Sequence, residues 1–218
     1  MALILLCLAA CAAGVGLTLY ADATQRPRLE WIGKPLAALA FILAGTLWGA
    51  LDSSYGQWIL AGLVLGALGD VLLIPRSTGL IFMGGMLAFG LGHGAYVVAF
   101  AGLPLSTSAL WLSGIGMAAF SVFVLRWLMP HVPAEFKVPV LAYLGIIGLM
   151  TVLAIAASAA GASWAIAIGG VAFALSDLAV ARERFVAPGK GSRIWGLPLY
   201  FGAQMIIAAT VSLVGPAP

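Results

Sequence analysis

The sequence predicts an all-α, polytopic membrane protein, a bundle of eight transmembrane helices. Three observations predict it. Of 218 residues 63% are hydrophobic and only 8% charged, with a mean hydropathy of +1.14. A water-soluble domain carries about 25% charged residues, so these side chains cannot coat a surface that faces water. Apolar runs close to the ~20 residues that cross a ~30 Å hydrocarbon core recur eight times. All ten Lys and Arg fall in or beside the odd-numbered connections between those runs. The surplus of +3 and the pI near 9.1 therefore read as a topology signal, not as a footprint for nucleic acid.

The first run, 1–20, has no Lys or Arg before it, so it reads as a membrane helix. Leu8-Ala9-Ala10-Cys11 nevertheless resembles a lipoprotein cleavage box. Cys7 and Cys11, four apart on one helix, are too close for an easy disulfide and read as small buried hydrophobes. The connection 21–34 follows, and Asp22 and Glu30 in it read as solvated. Pro35 opens helix 2 at 35–51, just after Lys34, and Asp52 falls in the next connection, also solvated. Helix 3, at 57–74, carries Gly62, Gly66 and Asp70 at four-residue steps, hence on one face. Small residues at that spacing let another helix approach closely. Pro75 to Thr78 lead into helix 4 at 79–101. Helices 5 to 8 are expected at 108–129, 138–158, 163–181 and 194–214. No linker or soluble segment is left over, so 1–218 is expected to form one transmembrane domain.

Orientation follows from the charges. Arg26, Arg28 and Lys34 belong to the first connection, Arg76 to the third, and Arg126 and Lys137 flank the fifth. Arg182, Arg184, Lys190 and Arg193 belong to the seventh. The positive-inside rule places these connections in the cytoplasm and both termini outside. A weak parallel internal repeat suggests a four-plus-four plan. It sets Lys34-Pro35 against Lys137-x-Pro139, Gly69-Asp70 against Ser176-Asp177, and His93-Gly-Ala-Tyr96 against Phe201-Gly-Ala-Gln204.

Asp70 and Asp177 carry the chemistry. A carboxylate at the bilayer centre costs about 2.5–3.5 kcal/mol on insertion scales, so such a residue normally faces the protein interior and marks function. Each Asp lies roughly 6 Å inside the cytoplasmic end of its helix. Two carboxyl groups sharing a site of low dielectric divide into one acid and one base. The blander reading is a local hydrogen bond to each from a Ser, Tyr or backbone donor. His93 lies deeper, with Tyr96 on the same face, and is either a ligand or a satisfied core residue. Tyr200 and Gln204, four apart on helix 8, are either polar glue between helices or the lining of a pocket. Lys34 is a topology signal or a phosphate ligand. No Gly-x-Ser-x-Gly elbow, phosphate-binding loop, Cys–His nucleophile or metal-ligand spacing is present. Neither a metal nor another cofactor is expected.

Gly69-Asp70-Val-Leu-Leu, Gly90-Leu-Gly-His93-Gly-Ala-Tyr96, Phe173-Ala-Leu-Ser176-Asp177 and Leu199-Tyr200-Phe-Gly-Ala-Gln204, together with Lys34-Pro35 and Arg184-Phe185, resemble the signatures of the YhhN-like lysoplasmalogenase family. The resemblance runs from about residue 30 to 212. It implies a multi-helix membrane enzyme that hydrolyses the vinyl-ether bond of lysoplasmalogens to a fatty aldehyde and a glycerophospho-alcohol. Its partners would be a lysophospholipid substrate and membrane lipids, and its expected location a bacterial inner membrane.

A vinyl ether is cleaved by protonation of its β-carbon, addition of water to the resulting oxocarbenium ion, and collapse of the hemiacetal. Asp70 and Asp177 would serve as acid and base, by analogy with the carboxylate pair of glycosidases. Lys34, His93, Tyr96, Ser176, Tyr200 and Gln204 would bind the substrate. A pocket is expected between helices 2, 3, 4, 7 and 8, open to the cytoplasmic side or inner leaflet, with the alkyl chain running past His93. The rival reading, a proton-coupled transporter or lipid carrier, also places acids at a repeat interface.

Overall fold

In the computed structural model, which describes residues 1–77, 79–187, 189 and 191–214, the eight apolar runs are eight helices. They are α1 Ala2–Ala23, α2 Pro27–Leu47, α3 Ser54–Leu73, α4 Leu80–Ala101, α5 Thr107–Leu128, α6 Ala134–Ala159, α7 Trp164–Ala181 and α8 Gly191–Ala209. Each is long and apolar enough to cross a membrane, and among the described residues there is no strand. The chain is an integral membrane protein. Thr78, Pro188, Lys190 and 215–218 lie outside the described residues.

Local chemistry sets the ends. Ser53, Ser106 and Ser163 precede α3, α5 and α7, and each hydroxyl accepts a backbone N–H of the first turn, from Gly56, Ala109 and Ala165. These three helices enter from the end that lacks basic residues. At the opposite end α7 leaves through a π-helical turn, Arg182–Val186.

One boundary departs far from expectation. α2 begins at Pro27, not Pro35, and the first connection shrinks to three residues, Thr24–Arg26. Both prolines fit a first helical turn, where a missing N–H costs nothing. The chain uses Pro27 for that purpose and carries Pro35 inside the helix. α6 likewise starts at Ala134, with Pro139 inside it. Interior prolines are tolerated in membrane helices because neighbouring elements compensate the freed carbonyl. Glu30 and Lys34 consequently ride on α2 and face the protein.

Packing follows the small residues. Gly14 on α1 and Gly33 on α2 let those two backbones touch, and the ring of Tyr96 on α4 lies where a Cβ at Gly62 on α3 would stand. Phe41, Tyr96, Phe100, Phe173 and Phe201 are fully buried between helices, and Cys7 and Cys11 are buried free thiols. α5 stands apart. It packs on α6, and only Val124 and Leu128 of its residues are buried.

Candidate active site

The face of α3 that carries Gly62, Gly66 and Asp70 closes on α4 and α8. At Gly66 it is α8 that comes close, since a Cβ there would stand 3.2 Å from the Tyr200 hydroxyl and inside the Gln204 amide. One turn further, Tyr200 donates its O–H to Asp70 Oδ2 at 2.7 Å. Gln204 Nε2 donates to the Tyr200 oxygen at 3.2 Å, and Tyr96 donates to Gln204 Oε1 at 2.6 Å. These buried bonds form a directed chain from α4 through α8 to Asp70, each fixing the orientation of the next.

Asp177 on α7 has a second tyrosine. Tyr143 on α6 donates to Asp177 Oδ2 at 2.8 Å, and His93 Nε2 stands 3.5 Å from the same oxygen. His93 is 1% exposed, and neither ring nitrogen has a hydrogen-bond partner among the described residues. Its ring lies edge-on to Phe173, with centroids 4.5 Å apart. Phe173 in turn meets Tyr200 edge-on at 5.2 Å. One aromatic wall thus connects the surroundings of the two carboxylates.

A cavity of about 530 Å³ opens beside this wall, with Asp70, Asp177, Lys34, Ser176 and Tyr200 among the residues that line it. His93, Tyr96 and Gln204 are not on its surface. They stand behind Asp177 and Tyr200, so any effect they have on a bound molecule passes through those residues. Ser176 donates its hydroxyl to the Phe173 carbonyl at 2.7 Å, which spends that proton locally. The cavity also reaches further than helices 2, 3, 4, 7 and 8, because α5 and α6 contribute Met117, Phe120, Leu144 and Ile147 to its wall. α5 leans chiefly on α6 and otherwise touches the π-helical turn Arg182–Val186, which leaves this side of the bundle open to the cavity.

Toward the basic end the cavity wall is ionic. Arg76 bonds Asp22 at 2.7 Å and Glu30 at 3.0 Å, while Arg193 bonds Glu30 and lies 3.6 Å from Asp22. Glu183 adds to Arg193 at 3.9 Å, and Lys34 Nζ lies 3.8 Å from Glu30. Asp22 and Glu30 are therefore not solvated, being 6% and 2% exposed. Buried acids need partners, and basic residues that set topology also supply them here. Glu30 further sits in the first turn of α2, where the helix dipole favours a negative charge. Arg184 closes the rim, donating to the Ser77 carbonyl and lying 3.9 Å over the Phe82 ring. Among the described residues no group of three or more His, Cys, Asp or Glu is arranged to hold a metal ion.

Sequence reasoning missed Tyr143, Arg193, Asp22 and Glu30 as parts of this site. Tyr143 had one signal, a phenol in the middle of an apolar run where a membrane-interface role is not available.

Fold and cavity together define a polytopic membrane protein with two intramembrane carboxylates on the wall of one cavity. The chain belongs to the YhhN family, whose model matches residues 29–211. It is 34% identical over 174 residues to lysoplasmalogenase TMEM86A of Bos taurus, covering 77% of this chain and 70% of that one. It is 31% identical over 193 residues to lysoplasmalogenase TMEM86B of Homo sapiens, covering 88% and 80%. Lysoplasmalogenase of Mycobacterium bovis is 30% identical over 183 residues, covering 79% and 67%. No solved structure matches significantly.

Proposed function

We propose that this protein is a lysoplasmalogenase, which hydrolyses the vinyl-ether bond of a lysoplasmalogen to a fatty aldehyde and a glycerophospho-alcohol. The observation that carries the reading is a lipid-sized cavity with both intramembrane carboxylates on its wall, in a chain whose relatives bear that name. Tyr200 and Tyr143 each hold Oδ2 of one Asp. No described residue hydrogen-bonds to either Oδ1, so that oxygen is the one available for proton transfer.

One Asp, as the acid, gives its proton to the vinyl carbon β to the ether oxygen, and the C=C electron pair forms the new C–H bond. The positive charge spreads over the adjacent carbon and oxygen, where the other Asp, as carboxylate, stabilises it. That carboxylate takes a proton from the water that adds to the carbon. The hemiacetal hydroxyl then loses its proton to the first Asp, the carbon–oxygen bond to glycerol breaks, and the alkoxide takes the proton held by the second. Both Asp return to their starting states. Water is the only co-reactant.

Lys34 at the cavity wall would meet the phosphate, and the basic end would face the cytoplasm of a bacterial inner membrane, with both termini outside. The four-plus-four repeat belongs to the same proposal. It is supported by the hydrogen bond between Tyr96 and Gln204, positions that the repeat pairs.

The test is purified protein in lipid vesicles with a lysoplasmalogen, the matching ester lysophospholipid and the saturated alkyl-ether analogue. Aldehyde should appear from the vinyl ether alone. Lipid transfer between leaflets without aldehyde would favour a carrier and overturn the reading.

A further inference from the structure

Beyond the carboxylates the cavity turns wholly apolar. α5 lines the cavity from Leu128, at the basic end, through Val124 and Phe120 to Met117, at steps of three or four residues along roughly 16 Å of helix. α6 presents Leu144, Ile147 and Gly148 opposite. Met117 and Gly148 lie furthest along their helices from the basic end, and they meet. A Cβ on Gly148 would stand 3.3 Å from Met117 Cγ, so the methionine packs on bare α6 backbone at this end of the lining. The chamber is thus amphipathic along its length, with ion pairs at the mouth, carboxylates next and hydrocarbon beyond.

We infer that this apolar branch holds the hydrocarbon chain of the substrate, and that Met117, seated on Gly148, is the floor that sets the longest chain accepted. The occupant's identity rests on the lysoplasmalogenase reading; the floor rests on the geometry alone. A lipid tail gains little on moving from bilayer to pocket, because both are equally apolar. Selection among chains therefore comes from steric misfit at the floor. Each methylene forced beyond it lowers apparent affinity by about fivefold, the lower end of the penalty for overfilling a packed core. Methionine is unbranched and adaptable, so the limit falls over a few methylenes and not at one.

The experiment uses the full chain in vesicles with lysoplasmalogens of one headgroup and increasing alkenyl length, reading aldehyde release. In parallel, saturated alkyl-ether lysophospholipids of the same lengths are tested for stabilisation against thermal unfolding, which needs no turnover. Met117→Ala should move the limit to longer chains by about three methylenes, the heavy atoms removed. Gly148→Ala, which pushes Met117 into the branch and does not harm a helix, should move it to shorter ones. Ile115→Ala, on the lipid-facing side of the same helix, should leave it where it is. A limit unchanged in both floor variants, or shifted as much by Ile115→Ala, overturns the inference. If the floor variants shift binding of the alkyl ethers while no vinyl ether is cleaved, the subsite stands and the lysoplasmalogenase reading falls.

Discussion

Tyr143 reaches from α6 to donate a 2.8 Å hydrogen bond to Asp177 on α7, as Tyr200 does from α8 to Asp70 on α3. Neither carboxylate is held by its own helix. Each is aimed by a phenol whose position depends on helix packing, so the geometry of the chemistry is a property of the bundle.

Replacing Asp70 or Asp177 by Asn should lower aldehyde release by at least about a hundredfold, the loss that accompanies removal of a general acid or base. Both variants should still fold, since Asn accepts the tyrosine hydrogen bond. Near-normal turnover in either one would make that Asp structural.

The tyrosines should act through the acids. Tyr143→Phe and Tyr200→Phe keep the ring and remove the donor, leaving a buried carboxylate short of one bond, at about 1–3 kcal/mol. kcat is expected to fall by roughly tenfold with KM little changed, because each hydroxyl is engaged with its carboxylate and the ring that lines the cavity is kept. A rise in KM at constant kcat would show that the phenols touch substrate.

Arg193 should matter for stability more than for turnover. It is shared by Asp22, Glu30 and Glu183, and removing one partner of a buried ion pair costs about 3–5 kcal/mol. Arg193→Ala should therefore lower the thermal unfolding midpoint in detergent, and Glu30→Gln in the same chain should recover part of the loss. Strictly additive effects would mean that the two residues do not interact.

Orientation is open to a direct check. A reporter fused after Pro218 should register on the non-cytoplasmic side, because every Lys and Arg belongs to the odd-numbered end. A cytoplasmic reporter signal would reverse the assignment of the cavity mouth.

Composition and run length determined that eight helices cross a membrane, because the cost of leaving a backbone amide unbonded in hydrocarbon permits no other form for such runs. The spacing of Gly62, Gly66 and Asp70 marked the face on which α3 closes. What the sequence did not show is which apolar side chains face protein and which face lipid. In water that distinction is written as a hydrophobic stripe, but lipid tails are as apolar as a core, so Met117 facing the cavity and Ile115 facing the bilayer look alike. The start of α2 was equally undetermined, since Pro27 and Pro35 obey the same rule. The cations Arg76, Arg193 and Lys34 beside Glu30 make the longer helix, with its buried acid, tolerable. Tyr143 stands 34 residues from Asp177 and Tyr200 stands 130 from Asp70. Partners at such separations are chosen by the packing of helices, which no local pattern encodes.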